Sequence, residues 1–478
     1  MARISGVTLI ISLRNPKQER PQMYIKNAAE LIENGETEAA RRARRLSLEA
    51  VEAALAAVEP GRLIKSKLSV RGGQLFVQDI SLELARFRRI LVIGGGKAGG
   101  PMARALDSVL GDRITAGIIN VPDSKTSGGD GLGKIKLHRA THPLPSRAGI
   151  EGVELMLDLV GKPTKDDLVI CLISGGGSSL LPMPRDGVSL ADKIEVTRAL
   201  LRAGATIQEL NVVRKHLSSL KGGWLAQRLY PSVVLSLVIS DVVGNRLDSI
   251  ASGPLYPDSS TFSDAVHVLK KFNVWEQIPD RVTALLRRGV EGKIPETPKP
   301  GSRYFRKVSN VIIGSNDDAS NAAVRRLKSR GQRPVLLTTS LEGEARFAGM
   351  FMGSVLLHAD VMPEPSSYVV GGETTVTVSG EGKGGRNQEF ALGAAMKTDG
   401  NQRVAMVALG TDGLDGSTDA AGAIIDGSTI RRGRSLGLSP EETLRQNDTF
   451  RFFGGLGDLV MTGATGTNVN DIAVAAVV

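Results

Sequence analysis

The stretch LVIGGGKAGG, residues 91–100, runs from three apolar residues into five glycines and a single lysine. An apolar run that closes on glycines reads as a strand entering a tight turn and then a helix, the first unit of a parallel α/β sheet. Gly94, Gly96 and Gly99 satisfy the G-x-G-x-x-G spacing of a dinucleotide-binding turn, which predicts an oxidoreductase. Lys97 stands inside that turn, and a cation there predicts phosphate handling instead. The loop is not a Walker A sequence, because Leu91 occupies the place of its first glycine and Ala98 follows the lysine.

Outward from this loop the same alternation recurs. AGGPMARALDSVLG is helix-like, AGIINVPD strand-like, DLVICLISGGG strand-like, and residues 189–204 helix-like again. Such alternation predicts a mainly parallel sheet with helices on both faces. A chain of 478 residues exceeds what one core supports and predicts two domains or three. The proline- and glycine-rich stretch 289–303 reads as the linker between them. ETTVTVSG, residues 373–380, alternates with a period of two and predicts a half-exposed strand.

Composition narrows the chemistry. Sixty Lys and Arg against fifty Asp and Glu give a net charge of +10, which favours anionic partners. Aromatics make up only 4%, poor material for stacking bases, so nucleic acid is not expected as a partner. The basic run RRARR, residues 41–45, falls in a helical pattern and reads as a solvated helix face. The single cysteine, Cys171, excludes a disulfide framework and a cysteine metal cluster, and fits a reducing cytoplasm. No apolar stretch reaches the length of a membrane span, and no secretory signal is read. Residues 1–22 are unlike the helical sequence that follows and read as an extension, with Met23 as an alternative translation start.

Six strand-like runs end in glycine, serine or an acidic residue, at 91–97, 169–179, 235–245, 311–317, 335–344 and 406–416. Ligands in open α/β sheets bind outside the carboxyl ends of strands, so these loops are expected to form one rim. SGGGSS, residues 174–179, offers backbone donors and hydroxyls for a phosphate or carboxylate. In SGEGKGGRNQEF, Arg386 lies just before a helix start, where dipole and guanidinium together suit phosphate oxygens. Asp241, Asp412, Asp415 and Asp419 are the acidic candidates, for accepting a proton or holding magnesium. Among the histidines only His142, in ATHPLPS, looks placed. No H-E-x-x-H is present, so zinc hydrolysis has no support, and SGGGSS does not have the G-x-S-x-G form of a nucleophile elbow.

The order of the motifs is itself informative. LVIGGGKAGG, THPLPSRAG, LISGGGSSLL, NVVRKHLSSLKGG, ISDVVGNRLDSIASGPLYPD, GGETTVTVSGEGKGGRNQEFAL, ALGTDGLDGSTDAAGAI and TGATGTNVNDIAV together resemble class II glycerate kinases over roughly residues 25–478. That two-domain family ends in a MOFRL domain. The resemblance implies a Rossmann-like, mainly parallel three-layer N-terminal domain over 23–288, a smaller mixed-sheet C-terminal domain over 304–478, and an active site in the cleft between them.

It also implies phosphorylation of D-glycerate by ATP with a divalent cation, usually to 2-phosphoglycerate, in a monomer or homodimer. By the same resemblance Lys97 is the phosphate-binding lysine, Arg386 the interdomain arginine and Asp241 a catalytic carboxylate. Gly95, Gly96, Ser174, Gly175, Gly176, Gly177, Ser178, Ser179, Asn211 and Asn387 fall at nucleotide or substrate positions, and Asp241, Asp412 and Asp415 at metal positions. Two departures stand out. Asn245 replaces the aspartate of the family's SDVPGD, which puts the metal ligands in question, and Ala464 replaces a proline. Two other readings remain at this point. A hydroxypyruvate or tartronate-semialdehyde reductase would use Asp123 for the ribose, and a non-catalytic anion-binding regulator would need no acidic rim.

Overall fold

The computed structural model describes residues 23–123, 131–359 and 366–478. The expected extension, residues 1–22, lies outside them. Six parallel strands, Arg89–Gly95 (β1), Ala116–Pro122 (β2), Ile135–Ala140 (β3), Asp167–Ile173 (β4), Val233–Ile239 (β5) and Val308–Gly314 (β6), form the first sheet. Their spatial order is 3-2-1-4-5-6, the doubly wound Rossmann arrangement. A two-residue antiparallel strand, Gly131–Leu132, extends it beyond β3.

Both faces of this sheet are buried. In β1, Ile90 and Val92 join the cluster on one side, while Leu91 and Ile93 join the cluster on the other. The sequence therefore reads as an unbroken apolar run, as parallel strands covered twice must. The helix Gly99–Leu110 covers the first side and Arg147–Val160 the second, which makes the expected three layers.

A second sheet is mixed. Arg333–Leu341 (β7) and Ser366–Gly372 (β8) are parallel, whereas Asp471–Val477 (β11), Val404–Gly410 (β9) and Gly422–Asp426 (β10) add antiparallel to them in the order 7-8-11-9-10. The helix Arg386–Thr398 packs on one face. On the other face lies the N-terminal helix Glu38–Ala57, far from it in sequence.

This arrangement departs from the boundaries drawn on the sequence. Strand β6, placed there in the C-terminal domain, hydrogen-bonds to β5 in the first sheet. The stretch 289–303 is not a free linker: the amide of Asp258 donates to Pro298 carbonyl, and Thr297 is buried against the Asp258 carboxylate. The chain passes between the sheets at Ser315, where the helix Asn316–Ser329 begins. One apolar cluster, running from Leu55 and Met102 through Leu327 to Val474, is continuous between the two sheets.

Two further expectations change. In RRARR, Arg42 and Arg45 are exposed, but Arg44 is wholly buried and paired with Asp426 and Asp458 of the second sheet's edge. ETTVTVSG is extended without being a strand, apart from a single bridge at Thr375. Its Thr377 amide donates to the Glu344 carboxylate rather than to a neighbouring strand. No helix among the described residues is long and apolar enough to cross a membrane.

Candidate active site

In the first sheet the strand order reverses between β1 and β4, and ligands of doubly wound sheets sit in the crevice outside that point. The loops leaving these strands are GGGK and SGGGSS. They are joined by two bonds, from the Lys97 amide to Gly175 carbonyl at 2.7 Å and from the Ala98 amide to Ser174 Oγ at 3.0 Å. The expected rim is therefore real for the first sheet, but it is split. The loops after β8 and β9 belong to the second sheet and face the first from across a cleft.

Strand register assembles the second side. Asp471 begins β11 opposite both Gly372 and Gly410, so Glu373, Asp412 and Asp471 emerge at one edge. Lys97 bridges the two sides, its ammonium 3.2 Å from Asp412 Oδ2. Asp241, leaving β5, lies against Gly175, where any added Cβ would strike its carboxyl. The cleft around Lys97, His142 and Asp412 has a volume of about 170 Å³ and is also lined by Ala464 and Gly466 of TGATGTN.

Electrostatics tune this cleft. Burial raises the Asp241 carboxyl above its ordinary range, with Lys97 opposing and Asp412 adding to the shift. Burial likewise raises Glu373, against the pull of Arg386. Burial and then Lys97 lower the His142 imidazole, with Asp412 opposing.

Arg386 is placed as expected at the start of its helix, but its partners are carboxylates. Its Nε and Nη2 bind Asp471 at 2.6 and 3.0 Å and its Nη1 binds Glu373 at 2.9 Å. Burial alone would weaken the guanidinium's hold on its proton, yet Asp471 and Glu373 outweigh it and raise it. The helix N-terminus beneath, read from sequence as a phosphate seat, is filled from within. Asp415 accepts from the amides of Asn387 and Gln388 at 3.0 and 2.9 Å and from the Asn387 side chain at 3.2 Å. Asp415 and Asn387 are thus committed to each other, which argues against their expected metal and ligand roles; a buried carboxylate completing a helix end satisfies donors the helix cannot.

Of the SGGGSS residues, Gly176, Ser178 and Ser179 line a cavity. Ser174 is 2% exposed and serves the Ala98 amide, while Gly175 and Gly177 give room to Asp241 and Ala251. Asn211 accepts from Ser252 Oγ at 3.0 Å, and Ser252 meets Ser178 Oγ at 2.8 Å, so Asn211 supports the loop from behind. Ala251 and Ser252 hold this contact at φ of +50° and +60°, a left-handed backbone that non-glycine residues adopt at a cost. Asn245, the departure from the family pattern, donates to Asp317 Oδ2 at 3.1 Å. Asp419 is exposed. Among the described residues no three Asp, Glu, His or Cys side chains converge to hold a metal ion by themselves.

Glu373 and Asp471 were missed on the sequence, although both sit inside quoted motifs. Nothing local marks them, because sheet register alone brings them to the cleft.

The glycines of the opening loop are consumed internally. Space for a Cβ at Gly94 is taken by Leu172 backbone, at Gly96 by Ser174 and at Gly99 by Ile119. Asp123, the residue a dinucleotide ribose would need, is exposed and 4.0 Å from Arg139.

Comparison with known proteins agrees with this geometry. Residues 46–287 match DUF4147, a domain of unknown function, and residues 366–471 match the MOFRL family. A D-glycerate 2-kinase from Thermotoga maritima is 38% identical over 439 residues, covering 91% of this chain and 98% of its own. The crystal structure of a glycerate kinase from the same organism superposes with a TM-score of 0.80 at 38% identity, covering 91% of this chain and 99% of that one. A relative from Agrobacterium vitis, provisionally named a hydroxypyruvate reductase, is 39% identical over 394 residues, covering 80% of this chain and 86% of its own. Matched in both of its domains and covered almost end to end by such relatives, the chain belongs to the class II glycerate kinase family.

Proposed function

We propose that the protein transfers the γ-phosphoryl group of ATP to D-glycerate, at the 2-hydroxyl, giving 2-phospho-D-glycerate and ADP. The observation that carries this reading is Lys97 of one sheet held 3.2 Å from Asp412 of the other, with the burial-raised Asp241 beside them. Phosphoryl transfer asks little covalent chemistry of a protein and depends on positioning and charge. A cation and a proton acceptor at the mouth of a cleft are that equipment.

Asp241 accepts the proton of the attacking hydroxyl as its oxygen bonds to the γ-phosphorus and the bond to the β,γ-bridging oxygen breaks, releasing ADP. Its raised affinity for protons makes it a better base near neutrality than an ordinary aspartate. Lys97 exchanges Asp412 for the equatorial phosphate oxygens. Arg386 positions Glu373 and Asp471 and contributes positive charge from behind them.

With Asp241 kept for the proton, Asp412 fits a magnesium ion that arrives with the nucleotide, since such ions take one or two carboxylates and keep phosphate and water oxygens for the rest. Bound there, magnesium would neutralise charge on the β- and γ-phosphates. Asp415 does not fit, because its oxygens are committed to the helix end. The 2-position rests on the resemblance and on the relative named a D-glycerate 2-kinase. Buried, unpaired Cys171 suits a reducing cytoplasm, and we take the enzyme to act there as a monomer or homodimer without nucleic-acid or membrane partners.

The reductase reading loses its support where the fingerprint glycines pack against the protein's own Leu172, Ser174 and Ile119. A coupled assay decides between them. ADP formation that depends on D-glycerate, with phosphorus NMR identifying the 2-phosphate, is the expected result. Oxidation of NADH by hydroxypyruvate without ATP turnover would replace the kinase with the reductase.

A further inference from the structure

Beside the cleft, and sharing His142 with it, lies a cavity of about 440 Å³ along SGGGSS. Lys193, Arg214 and Lys221 line it, and no aspartate or glutamate does. Lys193 is 8% exposed and Lys221 3%. Among the described residues the Lys193 ammonium has no hydrogen-bond partner, and that of Lys221 donates to Leu181 carbonyl at 3.3 Å. Arg214 makes no ion pair among the described residues.

Its neighbour in sequence shows the ordinary alternative. Lys215 is as buried, at 6% exposure, and pairs with Asp258 at 3.4 Å. Buried charges are normally paired, so three basic side chains without a carboxylate partner among the described residues mark a cavity that a ligand's negative charge would suit. Burial, with Arg214 adding, lowers Lys193 to about 7, and burial pushes Lys221 well below its usual value. An anion entering the cavity would restore both protons.

The remaining wall says which anion. Leu144, Leu190 and Leu201 line it, and Leu144 and Leu201 are 61% and 55% exposed. An apolar shelf beside a cluster of cations matches a ligand with a flat base at one end and several phosphates at the other. Glycerate, with one carboxylate and three carbons, uses neither the volume nor the shelf. Gly176 lies against both His142 and the Lys97 side chain, so the cavity adjoins the transfer site.

Resting on the kinase reading above, we propose that this cavity is the nucleotide subsite. Lys193, Arg214 and Lys221 hold the polyphosphate with the Ser178 and Ser179 hydroxyls, the base lies on the leucine shelf, and glycerate is confined to the cleft at Asp241.

The test uses the full chain and the variants Lys193→Met and Arg214→Gln. Steady-state KM values are measured for ATP and D-glycerate, and binding of Mg-ADP and of inorganic tripolyphosphate is measured by calorimetry. Each variant is expected to weaken ATP, ADP and tripolyphosphate by at least ~10-fold while the glycerate KM moves less than about 2-fold, as loss of a charge-assisted contact to one substrate requires. Lys193→Met is also expected to raise the melting temperature of the free protein, since it removes an unpaired buried charge; that separates a lost ligand contact from a damaged fold. A rise in glycerate KM with unchanged ADP binding overturns the proposal and moves the carboxylate into this cavity. Unchanged KM values for both substrates overturn it as well. If the wild type makes no ADP from glycerate and ATP, the kinase reading fails, and tripolyphosphate then decides alone: binding lost in the variants keeps a polyanion site, and no binding to the wild type removes it.

Discussion

Two clusters of charge in this molecule use the same groups to opposite ends. Around Arg44, every charge is matched. Its Nε binds Asp426 at 2.6 Å, its Nη1 binds Asp458 at 2.8 Å and Leu31 carbonyl at 2.7 Å, and Arg432 reaches Asp458 at 2.9 Å. Two cations meet two carboxylates, and Arg44, Asp426 and Asp458 are wholly buried. In the cleft, Lys97 and Arg386 meet four carboxylates, those of Asp241, Glu373, Asp412 and Asp471, and most of these groups are partly accessible. A matched cluster locks the N-terminal helix to the second sheet. An unmatched, accessible one holds acid in excess, and that excess suits a site that receives a cation and a proton.

Mutation breaks this comparison most sharply at Asp241. Asp241→Asn should lower kcat about 10³-fold, the scale of a lost general base, while a thermal melt shows no loss of stability. Because Asp241 must be ionised to act and burial raises its carboxyl, wild-type kcat/KM should fall on acidification before ordinary aspartates titrate. A pH profile of the wild type unchanged by the substitution would remove Asp241 from the chemistry.

At the matched cluster the effect should appear in stability instead. Arg44→Met leaves the Asp426 carboxylate buried without its cation and Asp458 with Arg432 alone, and is expected to cost about 3–5 kcal/mol in urea unfolding, with KM values of the folded enzyme retained. Lys97→Ala should do the reverse, lowering kcat by at least ~100-fold while unfolding is unaffected, since a partly exposed pair contributes little to stability. Near-normal turnover in that variant would take Lys97 out of the mechanism. Asn245→Asp is the mildest change, placing a carboxylate against Asp317 in place of a hydrogen bond. It should cost about 1 kcal/mol without altering the magnesium dependence of turnover. A lower magnesium requirement would instead assign that loop to the metal.

The fold class was legible because it depends on local patterning. LVI and LVICLI are continuous apolar runs and LSLVI nearly so, as strands buried on both faces require. The end of the first domain was not legible. The proline-rich stretch at 289–303 looks like a linker from its composition, yet β6 lies beyond it and pairs with β5. The helix carrying RRARR looks solvated from its charge, yet Arg44 finds its partners nearly four hundred residues later, as the separation of 382 to Asp426 shows.

For the site, Lys97 and Asp241 were readable as a charged residue in a glycine turn and an acid at a strand end. Arg386 was readable, but its partners were not. Lys193, Arg214 and Lys221 carry no local mark either, because an unpaired lysine is distinguished only by what fails to surround it.

The opening stretch LVIGGGKAGG by itself determined a strand, a tight turn and a helix, since glycine content and apolar spacing act within a few residues of chain. Whether its glycines make room for a ligand or for the protein was decided only by the tertiary structure, which fills them with Leu172, Ser174 and Ile119. The same holds for the meeting of Lys97 with Asp412. Steric fit and charge pairing between residues hundreds of positions apart depend on how two sheets are placed, and no local pattern encodes that placement.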